Sequence, residues 1–155
     1  LGDEGGSTMR SSLKLVAAIF VLFAVGAIAQ TPSSYVPVPL TTSALMLDVA
    51  TPATNPIWEK SYAPDLTEQD WNEAKQAASQ LLAAASLISL GGSDAAEKGW
   101  TDDPQWREWS QTLANTALAA LQAAEAKDQS ALAAAGDSLV EDCAGCHLVF
   151  DPTAR

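Results

Sequence analysis

Cys143-Ala144-Gly145-Cys146-His147 gathers both cysteines and the only histidine of the chain into five consecutive positions. On a helix, residues i and i+3 share a face and i+4 lies beside them. Two thiols and one imidazole would then reach one side of a single flat group. C-x-x-C-H is the attachment signature of c-type haem. The thiols add to the two vinyl groups, and the next imidazole points at the iron. The competing readings are weaker on chemical grounds. A structural zinc site takes four ligands, usually Cys or His, and this chain has three such residues. A thioredoxin-like dithiol needs a strand–helix unit, and no strand pattern surrounds the pair. Chance would not place the whole Cys and His inventory in one pentapeptide. The expected cofactor is one covalent haem c at Cys143 and Cys146, with His147 as axial ligand. Paired carboxylates, a Ser/His/Asp set, a phosphate loop and a second metal cluster are all missing. With its one histidine committed, the chain offers no general acid–base agent and reads as a non-enzyme.

The elements that must position this motif are helices. From Thr42 onward the sequence is alanine-rich and helix-forming, with no strand pattern. The first helix is expected over Thr42–Tyr62, capped by Ser43. Pro52 and Pro56 should kink or break it, with Asn55-Pro56 restarting it. The second opens at the Thr67-Glu68-Gln69-Asp70 cap. Its stripe is Trp71, Ala74, Ala78, Leu81, Leu82, Ala85 and Ile88, and Gly91-Gly92 stops it. The third starts at Asp103-Pro104, with the stripe Trp106, Trp109, Leu113, Ala117, Ala120, Leu121 and Ala124. Asp128 caps the fourth, where Leu132, Ala135, Leu139, Cys143, Cys146, His147 and Phe150 share a face. The motif is thus expected to continue the core stripe rather than lie on a solvated side. The fold class is all-α, an up-down-up-down four-helix bundle with the attachment motif at its C-terminal end.

The front of the chain speaks to compartment. Residues 1–8 precede Met9 and read as an over-extended frame or an appended remnant. Arg10 and Lys14 then lead the apolar run 15–26, and Ala27-Ile28-Ala29 forms a cleavage site before Gln30. The run is short for a membrane span, which needs about 20 apolar residues. An uncleaved N-terminal anchor is the alternative. Cleavage after Ala29 would leave a proline-rich linker over 30–41 and a bundle domain over 42–155, without a stable membrane anchor. Haem attached outside a bacterial cytoplasmic membrane makes the periplasm the expected location. The formal net charge is −11. The leader carries two acids and two bases, so cleavage leaves this unchanged. Such a balance argues against nucleic acid or anionic lipid as partners. It suits solubility first, and a basic redox partner second.

A C-x-x-C-H on the last helix of an exported four-helix bundle resembles the class II c-type cytochromes, the cytochrome c prime group. Cys143, Cys146, His147 and the following aromatic Phe150 carry the resemblance, together with the helix pattern over Thr42–Phe150. Asp151 and Pro152 depart from it, because a basic residue often follows that aromatic. The resemblance implies that His147 is the proximal ligand. It also implies that the sixth iron position is either open to small gases or filled by a methionine from the first helix. Bundle topology supplies a candidate, since the start of helix one lies level with the end of helix four. Met46 sits there, as ligand or as distal-pocket lining. The resemblance further implies a possible homodimer. Lys60, Lys75 and Arg107 are candidate contacts for the haem propionates, and the tryptophans are expected mainly in the core. The resulting expectation is a monohaem electron carrier with redox partner proteins. The alternatives are a five-coordinate protein binding NO or CO, and a haem-free bundle with a Cys143–Cys146 disulfide.

Overall fold

The computed structural model describes residues 39–97 and 99–150. The leader, most of the linker, and Asp151 and Pro152 lie outside the described residues. Among the described residues, five α-helices follow in chain order: α1 (Thr42–Leu45), α2 (Thr51–Tyr62), α3 (Glu68–Ser89), α4 (Pro104–Ala126) and α5 (Gln129–Phe150). A π-helical stretch, Met46–Ala50, joins α1 to α2. Among the described residues there is no strand, and no helix is long and apolar enough to cross a membrane. The four long helices pack against each other, α2 on α3, α3 on α4, α4 on α5 and α5 back on α2. This arrangement is compatible with a helical bundle.

Local chemistry starts and stops these helices. Thr67 accepts from the Asp70 amide while the Asp70 carboxylate accepts from the Thr67 amide, a reciprocal box at the head of α3. Asp103 accepts from the Gln105 amide at 2.8 Å ahead of Pro104. Asp128 accepts from the Ala131 amide at 3.0 Å at the head of α5. The helix α3 ends at Ser89, just before Gly91-Gly92, where the sequence expects its stop.

The first segment departs from expectation in two ways. Its cap is Thr41, which accepts from the Ala44 amide at 3.0 Å, and Ser43 is an exposed residue inside α1. The prolines do not split it at Asn55. A proline has no N–H, and its ring crowds the carbonyl four residues earlier. For Pro52 that carbonyl belongs to Asp48, and the chain answers by widening the turn before the proline. The Thr51 amide reaches back five residues to the Met46 carbonyl. The helix α2 then runs unbroken through Pro56 to Tyr62.

Contacts at helix ends set the directions. Gln129 at the head of α5 donates to the carbonyls of Lys60 (3.1 Å) and Ala63 (2.7 Å) at the end of α2. Trp106 at the head of α4 donates to the Ile88 carbonyl at the end of α3 at 3.1 Å. Lys127, after α4, pairs with Glu68 at the head of α3. Neighbouring helices therefore run antiparallel. The core is mostly alanine, with Trp106, Leu45, Ile57, Leu81, Leu132 and Leu139 as its largest fully buried side chains. Small residues let backbones approach. A Cβ on Gly136 of α5 would lie 3.0 Å from Ser61 Oγ and 3.3 Å from the Trp58 ring of α2.

Candidate functional site

The helix α5 carries the pentapeptide in its last two turns, and the widened turn at the start of α2 lies across from it. Between them is a cavity of about 200 Å³. Met46, Cys143, Cys146 and His147 all line it. Residues nearly a hundred positions apart in sequence thus meet, at the level that antiparallel α2 and α5 require. Ala50 and Thr54 follow Met46 along the wall, Leu81 and Ile88 come from α3, and Trp109 and Leu113 from α4. Most of the lining is apolar. Trp109, Leu113 and Trp58 are only half-buried, because part of their surface borders the void. Lys60, Lys75 and Arg107 do not line it. Lys60 is held by Asp70 and by Glu73 at 3.1 Å, and Arg107 donates to the Thr101 carbonyl at 3.0 Å.

The stripe of α5 is continuous down to Leu139 and resumes at Phe150, but it opens at the motif. Both cysteines are half-buried and His147 is exposed. The expectation that the whole motif continues the core is corrected here. Helix phase explains it: His147 lies 40° past Cys143 around the helix at 100° per residue, away from α4 and toward the rim. Phe150 fixes the end of the helix instead. Its ring meets Trp106 and Trp100 edge-on at centroid distances of 5.1 and 5.6 Å.

Two contacts bind α4 to the motif. The six-membered ring of Trp109 lies on Gly145, where an added Cβ would come within 2.2 Å of its Cη2. Only glycine permits that approach. One turn earlier on α5, Asp142 accepts from Thr116 Oγ1 at 2.6 Å. Asp142 also lines the cavity. Neither contact follows from the helical period. A glycine between two cysteines of a helical motif, where helix propensity disfavours it, is a usable signal of close approach. Nothing local marks Asp142.

Burial raises the pKa of both cysteines. The Cys143 thiol is pushed up by burial and then by the Asp142 charge. Cys146 is pushed up to about 11 by burial and by Cys143. Reactive dithiols lie in electropositive settings that lower the pKa, and no lysine or arginine lines this cavity. Among the described residues, no three His, Cys, Asp or Glu side chains converge as metal ligands.

The donor set suits a flat apolar group. Two thiols one turn apart and an adjacent imidazole border one apolar cavity. The void is below the roughly 300–1,000 Å³ typical of small-molecule sites. A macrocycle therefore requires the half-buried wall side chains to give way. Comparison with protein-family models, curated proteins and solved structures finds no match to this chain.

Proposed function

We propose that the chain is an exported monohaem c-type cytochrome of the class II kind that serves single-electron transfer. Cys143 and Cys146 would hold the haem covalently, and His147 would be a ligand to its iron. The observation that carries this reading is the meeting of Met46 with Cys143, Cys146 and His147 at one mostly apolar cavity. The haem supplies one-electron redox chemistry, and the polypeptide supplies attachment, burial and electrostatics. Cys143 and Cys146 fix the group to two successive turns of α5. Trp109, Leu113, Leu81 and Ile88 line the cavity and would keep water from the bound group. Met46 lines the same cavity, and its thioether would be a further iron ligand that favours the reduced form. The precursor would be cleaved after Ala29, placing the bundle in the periplasm.

The test is intact mass after expression with haem-maturation machinery. The polypeptide should be heavier by one haem, with colour that survives denaturation and acid–acetone extraction. Bare polypeptide mass overturns the proposal and leaves the haem-free reading. The absorption spectrum then decides Met46. A low-spin ferric spectrum with the weak far-red thioether band, lost in Met46→Ala, is the expected result. A high-spin wild-type spectrum would instead favour the gas-binding alternative.

A further inference from the structure

The cavity carries a single carboxylate, and its position is fixed. Asp142 lines the void, directly precedes Cys143 and is half-buried. Its Oδ2 accepts from Thr116 Oγ1 of α4 at 2.6 Å, a short charge-assisted bond that holds the group in one place. No lysine or arginine lines the cavity, and no salt bridge reaches Asp142 among the described residues. A fixed negative charge in a partly desolvated site acts more strongly than one in water.

We propose that Asp142 is a positioning residue for charge, which biases the bound haem toward its oxidised state. The inference rests on the haem reading above. Uptake of one electron from an external one-electron donor lowers the net charge of the site by one unit. No bond forms or breaks. The carboxylate therefore stabilises the more positive, oxidised form. Thr116 strengthens the bias by keeping the carboxylate on the cavity wall. An acid on the outer face of the same helix lies in water and has much less effect. Glu141 is such an acid, next in sequence and exposed.

The test is a mediated spectroelectrochemical titration of the haem-loaded protein at fixed pH and ionic strength. Asp142→Asn should move the midpoint to more positive potential by at least a tenfold change in the redox equilibrium, about 59 mV for one electron. Thr116→Val should move it the same way by less, and Glu141→Gln by less than Thr116→Val. A midpoint that stays put or turns negative in Asp142→Asn overturns the role. So does a Glu141→Gln shift equal to that of Asp142→Asn, which would mean that only net charge matters. Should Asp142→Asn load poorly, an unmoved midpoint in Thr116→Val overturns the role by itself. A wild-type chain without haem refutes the cytochrome reading instead, so the two failures are distinct.

Discussion

The two ends of the helix assembly are built differently. At one end the last turn of α2, the first turns of α3 and α5 and the α4–α5 link are pinned by polar groups. Gln129 bridges two carbonyls of the α2 terminus, Ser61 donates to the Ile57 and Leu132 carbonyls, and Lys60 and Lys127 pair with acids of α3. At the other end Trp109 crosses Gly145 beside a void. Between the two ends, one turn from Ser61, Trp58 crosses Gly136, donates to its carbonyl at 2.8 Å and reaches the void from below. The polar end holds the helices in register. The cavity end leaves contacts unmade, which only a ligand or a collapse can supply. A site for a large flat group needs the first property to tolerate the second.

The largest effect is expected at the cavity end. On the haem proposal, a Cys143→Ala/Cys146→Ala variant would lose the thioether bonds, so the void would stay unfilled. Unfilled core volume costs several kcal/mol, roughly 2–5 for a single large-to-small change. Lower helicity by far-UV circular dichroism and a clearly lower Tm than the loaded protein are expected. Native helicity with an unchanged Tm would mean that the cavity end is self-sufficient and the contrast empty.

Next is Gly145→Ala. The new methyl would meet the Trp109 ring at 2.2 Å. Overpacking of this kind costs roughly 1–3 kcal/mol. The double variant Gly145→Ala/Trp109→Leu should recover much of the loss, giving a coupling energy that denaturant melts can measure. Simple addition of the two single costs would show that the ring and the glycine do not act as a unit.

These contacts also mark where the sequence is legible. Caps are local, so Thr67, Asp103 and Asp128 can be read from neighbours within three positions, and all three do cap. Helical period is local too, and it identifies most buried positions of α3. It leaves out Ala77 and Ala84, which are buried because neighbouring helices flank α3 on both sides. The level of Met46 follows from topology alone. The π-helical turn, the Trp109–Gly145 contact and the Asp142–Thr116 bond do not, since each depends on a side chain from elsewhere or on how a proline clash is relieved. Composition likewise gave no hint of Glu97. Its carboxylate takes the Thr42 amide at 3.0 Å and the Thr42 hydroxyl at 2.8 Å.

That strap supplies a smaller prediction. Glu97 serves as an N-terminal cap for α1, one turn before Met46. Losing a cap costs about 1 kcal/mol. Glu97→Ala should lower the Tm slightly, and Glu97→Gln, which keeps one acceptor, by less. If Met46 is the sixth ligand, Glu97→Ala should also weaken the far-red band. An unaltered band with a lowered Tm would confine the strap to stability.

The smallest effect belongs to the polar end and depends on pH. Lys60 holds the Asp70 carboxyl well below the usual range, helped by the Thr67 hydroxyl and amide. Glu73 is lowered as well, first by Gln69 and then by Lys60. The Lys60 ammonium is raised in turn, chiefly by hydrogen bonds to Asp70 and Glu73. Depressed acids contribute stability that is complete above their unfolded pKa values of about 4 and declines as pH falls below them. A raised lysine contributes stability that is complete below its unfolded value of about 10.4 and is lost as pH rises through the folded one. The network is therefore fully effective between roughly pH 5 and 9. Lys60→Met should lower the Tm modestly and evenly across that window, because solvent screens such pairs. The gap from wild type should narrow below about pH 4, as Asp70 and Glu73 take up protons more readily in the variant. It should not close fully there, since the Asp70 carboxyl resists protonation in the wild type. A gap of constant size down to pH 2 would mean that Lys60 acts through its aliphatic stem, and the polar end would then be held by packing as the cavity end is.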